Sequence, residues 1–297
     1  MTSSNPPRPV VVLGSVNMDL VTTTDRLPLP GETLLGNSFD TVPGGKGGNQ
    51  AIAAAKAGGD VLFIGAVGRD DFGRRIERAL SSGGVSVQQL RRVAGPSGVA
   101  TIMVDANAEN TIIVVPGANG TVHGLTDSDR EVIHAAGMLV CQLEIPLAGV
   151  VSAVGVAAAS GVAVLLNPSP ARELPAELLA GVTLLVLNEG EAAAIGRATA
   201  DTVPHVVTTL GADGARYRGP DAEFHVLAPK VDAVDTTGAG DAFTGALAVA
   251  WTAGAGPLEA VRRACAAGAL ATTRPGASSS SPTAEEIDHL VAATYGR

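Results

Sequence analysis

Asp235-Thr-Thr-Gly-Ala-Gly-Asp-Ala-Phe243 puts a carboxylate, Asp241, directly behind a flexible Gly-Ala-Gly turn. An apolar, Ala-rich segment with helical spacing follows at 242–253. A turn that opens a helix aims unpaired backbone N–H groups at one spot, which the helix dipole makes positive. Such a spot attracts phosphate or another anion. A carboxylate beside a bound anion makes sense if it takes a proton from a hydroxyl attacking that anion. The run therefore points to phosphoryl transfer, with Asp241 as base and the N–H groups of Gly238, Ala239 and Gly240 as the charge-stabilising group.

Outward from this run, short β-type stretches alternate with helical ones. Residues 10–14, 61–67, 138–143, 162–167, 184–188 and 205–210 read as buried strands. Residues 48–57, 71–81, 127–136, 147–159 and 175–179 read as helices, and a Thr283-to-Glu286 capping box starts a last one. The alternation implies a Rossmann-like α/β fold, a mostly parallel sheet sandwiched by helices, with ligands beyond the carboxyl ends of its strands. Two regions break the rhythm. Residues 20–42 alternate around Pro-Leu-Pro-Gly (28–31), and 98–104 with 111–115 predict a hairpin across 105–110. They predict a small β-sheet lid, about 20–43 and 98–116, on a single domain spanning 1–297.

Composition narrows the function. A formal net charge of −9 and only three lysines (Lys46, Lys56, Lys230) argue against nucleic-acid binding. No apolar stretch is long enough to span a membrane, and the start, 1–9, is polar and Pro-rich. Cys141 and Cys265 sit in apolar runs without metal-type spacing, and the five histidines form no HxH or HxxxH pair. Buried reduced thiols suit a cytoplasmic protein.

Polar groups recur after the strands. Asn17 and Asp19 follow the first one; such groups hold sugar hydroxyls or serve as turn and capping residues. Gly44-Gly-Lys-Gly-Gly-Asn49 precedes a helix, either admitting a ligand to the backbone or making a strand-to-helix turn. It is not a Walker A loop. Glu144 ends one strand, and Asn188-Glu-Gly-Glu191 another. Glu191 suits magnesium-bound water or a helix N-terminus. Thr209-Leu-Gly-Ala-Asp-Gly214 is a further strand-end turn. GxGxxG and GxSxG are both missing, which argues against a nicotinamide oxidoreductase and a serine hydrolase.

Together these motifs resemble the ribokinase family of carbohydrate kinases (the PfkB superfamily) over nearly the whole chain. The resemblance is carried by Gly-Ser-Val-Asn-Met-Asp (14–19), Pro-Gly-Glu-Thr (30–33), Gly-Gly-Lys-Gly-Gly-Asn-Gln (44–50), Gln-Leu-Glu (142–144), the 167–175 stretch and 235–243. It implies ATP-dependent phosphorylation of the ribose 5-hydroxyl. Asn17, Met18, Asp19, Gly45, Lys46, Gly47, Gly48, Asn49 and Glu144 would line the sugar. Asn188, Glu191, Thr209, Leu210, Gly211, Ala212, Asp213, Gly214, Gly240 and Cys265 would meet the nucleotide and its Mg2+. An activating K+ would lie against Asp235, Thr237, Ala271, Arg274, Gly276 and Ser280, mostly through carbonyls. A homodimer formed through the lid is also implied. One departure stands out: the segment 192–208 is shorter than the family's, on the nucleotide side. Deoxyribose, another sugar or a nucleoside remain alternative acceptors, and a non-catalytic sugar sensor is an alternative of another class.

Overall fold

A computed structural model describes residues 8–107 and 109–296. The chain start read above lies outside them up to residue 7, as does Ala108 in the expected hairpin turn. The chain begins with β1 (Val10–Leu13), β2 (Asn17–Thr23), β3 (Ser38–Gly44), α1 (Lys46–Lys56), β4 (Val61–Gly68) and α2 (Asp71–Ser82). Then come β5 (Val85–Val93), β6 (Gly98–Val104), β7 (Asn110–Val115), α3 (Asp127–Ala135), β8 (Met138–Cys141) and α4 (Leu147–Ala159). Next are β9 (Ala163–Leu166), α5 (Ala176–Ala180), β10 (Leu184–Asn188), α6 (Glu189–Ile195), α7 (Arg197–Ala200) and β11 (His205–Thr209). The rest is β12 (Ala215–Arg218), β13 (Glu223–Val226), α8 (Ala239–Thr252), α9 (Pro257–Thr272) and α10 (Ala284–Tyr295).

The large sheet has nine strands in the order β13-β12-β11-β10-β9-β8-β1-β4-β5. It is parallel from β11 to β5, and the hairpin β12–β13 adds an antiparallel edge. Period-2 geometry explains why its strands read as unbroken apolar runs. Val10 and Val12 enter one core with α1, α2, α8 and α9, whereas Val11 and Leu13 enter a second core with α3, α4 and α5. Three of the nine strands are not read from the sequence. The edge strand β5, Val-Ser-Val-Gln-Gln-Leu-Arg-Arg-Val, carries too many polar residues for a buried run, because one face meets solvent. The strands β12 and β13 are each four residues long, with alternating burial. A helix that the sequence reading does not name, α9, has its start signal in Gly256-Pro257, with proline in the first turn.

The small sheet has the order β3-β2-β6-β7. It starts earlier than the expected lid, since β2 opens at Asn17 and pairs with both Gly44 and Gly98. Asn17 and Asp19 therefore sit on a strand of the small sheet rather than at the end of β1. In the segment 192–208 the chain makes the end of the seven-residue α6 and the one-turn α7. No helix among the described residues is long and apolar enough to cross a membrane.

Candidate active site

The helix α8 begins three residues before the expected Ala242. Gly238 takes a left-handed conformation (φ 77°) as its N-cap, and Ala239 is the first helical residue. A Cβ at Gly238 would lie 2.7 Å from the Ala277 Cα, so only glycine fits this corner. The Gly-Ala-Gly run is thus the first turn of the helix rather than a turn before it. The Ala239 N–H is already donated to the Thr236 carbonyl (3.2 Å), which removes one of the three amides expected to face an anion. Among the described residues the amides of Gly238, Gly240 and Asp241 have no acceptor, as is normal at a helix start.

Asp241 is the third residue of that turn, and its carboxylate is held from α1. Asn49 Nδ2 donates to Oδ2 (3.1 Å) and Gln50 Nε2 to Oδ1 (3.0 Å). Gln50 also donates to Asn167 Oδ1 (3.1 Å) and accepts from Gln142 Nε2 (2.6 Å). Burial raises the Asp241 carboxyl above its ordinary value and Glu144 adds to this, while Lys46, Gln50 and Asn49 oppose it. A carboxylate with a raised pKa and a fixed orientation suits proton abstraction from a hydroxyl.

On one side of Asp241 lies a cluster of polar side chains. The Asn17 side chain is buried, and its Oδ1 accepts from Asn119 Nδ2 (2.8 Å). Asn119 also brackets Val16, accepting its N–H (3.0 Å) and donating to its carbonyl (2.9 Å). Asn119 is a site residue that the sequence reading misses. It belongs to no motif, and its only signal is the turn-like Pro116-Gly-Ala-Asn-Gly120 after a β-run. Asp19 is pushed up to about 7 by burial, and by its neighbours Glu144 and Asp241. Glu144 Oε2 accepts from Ser15 Oγ (2.5 Å) and from the Lys46 N–H (3.1 Å), so it also caps the start of α1.

The glycines of 44–48 serve the crossing of two chain segments as much as any ligand. A Cβ at Gly45 (φ 89°) would lie 2.8 Å from the Asn17 nitrogen, and one at Gly47 2.7 Å from the Ser15 nitrogen. Gly47 and Gly48 are buried against Ser15 and Val16, and the Met18 side chain is buried in the core. All three are buried where the β1–β2 and β3–α1 corners pack on each other.

The other side of Asp241 opens into two connected kinds of space. A recess of about 150 Å³ is lined by Lys46, Asn188, Glu191, Gly238, Gly240 and Asp241, among others. Lys46, expected at the sugar, therefore also faces the anion side. Asn188 and Glu191 form a capping box for α6: Asn188 Oδ1 accepts the Glu191 N–H (2.7 Å), and Glu191 Oε2 accepts the Asn188 N–H (2.9 Å). That leaves Glu191 Oε1 for the recess.

Beyond it lies an apolar pocket of about 590 Å³, with walls from Thr209, Gly211, Ala212 and Gly214, from 228–231 and from Phe243, Cys265 and Gly268. Leu210 and Asp213 do not line it, since that tight turn points them away. Burial lifts the Cys265 thiol to about 12, so it is an apolar wall group and not a nucleophile.

The six residues assigned to potassium gather on two adjoining segments. Val234 and Asp235 donate their N–H groups to the Thr272 carbonyl (2.7 and 3.0 Å). The Asp235 carboxylate accepts from the amides of Thr237 (2.9 Å) and Gly276 (2.8 Å). Burial opposes its ionisation, but these bonds outweigh it and hold Asp235 below the usual carboxylate range. Both oxygens thus staple loops together. Arg274 pairs with Glu286 and leaves its carbonyl free of that pair. Ser280 Oγ donates to the Ala277 carbonyl (2.8 Å), and Ala271 is buried on α9. Among the described residues no group of three or more His, Cys, Asp or Glu is placed to hold a metal.

Comparison with known proteins agrees with this fold. The profile of the pfkB family carbohydrate kinases matches residues 8–284. The chain is 38% identical over 291 residues to the ribokinase of Bacillus subtilis, covering 96% of this chain and 99% of that protein. It is 36% identical over 301 residues to the deoxyribokinase of Salmonella typhi, covering 95% and 98%. Among solved structures, Arabidopsis thaliana ribokinase complexed with ribose and ATP superposes with a TM-score of 0.90 at 33% identity, covering 96% and 99%.

Proposed function

This chain belongs to the pfkB family of carbohydrate kinases, and from that premise we propose that it transfers the γ-phosphate of ATP to the 5-hydroxyl of ribose. The observation that carries the reading is the position of Asp241. It lies between the neighbouring carboxyl groups of Asp19 and Glu144 and a recess lined by Lys46, Glu191, Gly238 and Gly240.

In this mechanism the sugar rests on Asn17, Asp19, Gly45, Asn49 and Glu144. Asp241 accepts the hydroxyl proton as the oxygen attacks phosphorus. The amides of Gly238, Gly240 and Asp241 hold the charge of the group in transfer, and Lys46 balances it from the opposite wall. Phosphoryl transfer needs chiefly positioning and charge stabilisation, and these groups supply both. Adenine would occupy the apolar pocket against Phe243, Cys265 and the 209–214 turn. The small sheet acts as a lid that excludes water.

Two ions fit the residues present. Mg2+ keeps several waters and takes few protein carboxylates, so the lone Glu191 beside Asn188 suits it. When bound there, it would supply positive charge to offset that of the phosphates. K+ suits the carbonyls of Asp235, Thr237, Ala271, Arg274 and Gly276, and the Ser280 region. The lid also carries exposed apolar residues, Leu35 (93%), Phe39 (62%) and Ile113 (60%), and the unpaired edge of β7. These support a homodimer formed through the lid. Two free buried thiols suit the cytoplasm.

Deoxyribose is the second reading, favoured by the 36% identity to a deoxyribokinase. An ADP-release assay over ribose, deoxyribose, fructose, adenosine and pseudouridine separates the readings. The highest kcat/KM is expected for ribose. A preference for deoxyribose selects the second reading, and silence with every acceptor selects a sugar sensor.

A further inference from the structure

We propose that Lys56 is a positioning residue for phosphoryl transfer, its ammonium fixing the loop on which the first turn of α8 rests. Lys56 is the last residue of α1. Its Nζ donates to the carbonyl oxygens of Ser278 (3.1 Å), Ser279 (3.1 Å) and Ser281 (3.2 Å). An ammonium has three donors and all three are used, on acceptors from one short loop. A lysine that merely favours its own helix C-terminus would face the last carbonyls of α1 or solvent. Lys56 instead reaches a segment more than 220 positions away in the chain.

That loop touches the chemistry directly. Ala277, one residue before the cradle, is the backbone against which Gly238 packs: a Cβ at Gly238 would come within 2.7 Å of its Cα and 2.9 Å of its oxygen. Gly238 caps α8, and Asp241 lies in the first turn. At the near end of the same α1, Asn49 and Gln50 hold the Asp241 carboxylate. The middle of α1 presses on α8, where a Cβ at Gly245 would lie 2.6 Å from the Ala54 nitrogen. One helix therefore holds Asp241 from the front and, through Lys56, supports the amide-bearing turn from behind. The cradle carbonyls share the loop with those of Gly276 and Ser280.

The proposal rests on the phosphotransfer reading, and its test separates the two. Wild-type ADP release with the sugar panel tests that reading. Lys56→Met, Lys56→Gln and Lys56→Arg, each checked for folding by circular dichroism, test the lysine. Lys56→Met is expected to lower kcat about tenfold or more with the sugar KM within about twofold, the pattern of lost transition-state positioning. Lys56→Arg, which can still donate to carbonyls, is expected to keep more kcat than Lys56→Gln. Amide hydrogen exchange at the bonded N–H groups of Thr237, Ala239, Ala242 and Gly276 is expected to speed up in Lys56→Met, and this readout needs no turnover. Unchanged exchange at Thr237, Ala239, Ala242 and Gly276, kcat within about twofold of wild type, or equal losses in Gln and Arg would overturn the proposal. If Lys56→Met does not fold, the Gln and Arg pair decides.

Discussion

On one side of Asp241 the wall is made of side chains: Asn17 fixed by Asn119, Glu144 fixed by Ser15, and Asn49 and Gln50 reaching the carboxylate itself. On the other side it is made of glycines, alanines and backbone amides around about 590 Å³ of apolar space. In the proposed mechanism the acceptor is met by directional groups that lose much when misplaced. The donor, in the same mechanism, is met by shape and main chain, which tolerate side-chain change. Buried polar groups discriminate strongly because an unmatched partner leaves them unpaired, whereas an apolar wall discriminates weakly.

The sharpest test of this contrast lies where the two sides meet. Asp241→Asn should lower kcat about 10²–10⁴-fold while the protein stays folded and binds sugar, measured by turnover and calorimetry. Near-normal turnover would remove Asp241 as the base. A smaller effect belongs to the acceptor side: Glu144→Gln keeps the shape but weakens the acceptor for Ser15 and Lys46, and should raise the sugar KM about tenfold with the ATP KM unchanged. A rise confined to ATP would reverse the assignment of the two sides.

Asp19 gives the contrast a pH signature. Its carboxyl stands at about 7 in the folded chain against 3.8 ordinarily, so folding takes up a proton between those values. Stability linked to Asp19 is fullest below 3.8 and is lost as pH rises through about 7. Asp19→Asn should therefore raise Tm by about 2–4 °C at pH 8, with little gain at pH 4, while sugar affinity falls. An equal gain at both pH values would break the link to ionisation. The smallest effect is expected in the apolar wall, where Cys265→Ala should change the ATP KM by no more than about threefold, by titration of initial rates. A large loss there would mean that the donor side also depends on individual side chains.

Much of this was legible in the sequence because it rests on local chemistry. The buried parallel strands declared themselves as apolar runs such as Val10-Val-Val-Leu13, and Asp241 by its place after Gly-Ala-Gly. What escaped depends on tertiary placement. The half-solvated strand β5 lacks the apolar run, and Asn119 acts only because a turn 102 positions away lands on Asn17. The glycines of 44–48 look like ligand space in sequence, yet Gly47 and Gly48 make room for Ser15 and Val16. Residue type was a sound guide to chemistry, and a weak guide to which neighbour it would meet.

Between the last residue of β3 and the first of α1 stands only Gly45. No slack separates the small sheet from the helix that grips Asp241, so a displacement of β3 would be passed to the start of α1. If the small sheet closes as the proposed lid, its movement would reach the carboxylate grip of Asn49 and Gln50 through that single residue.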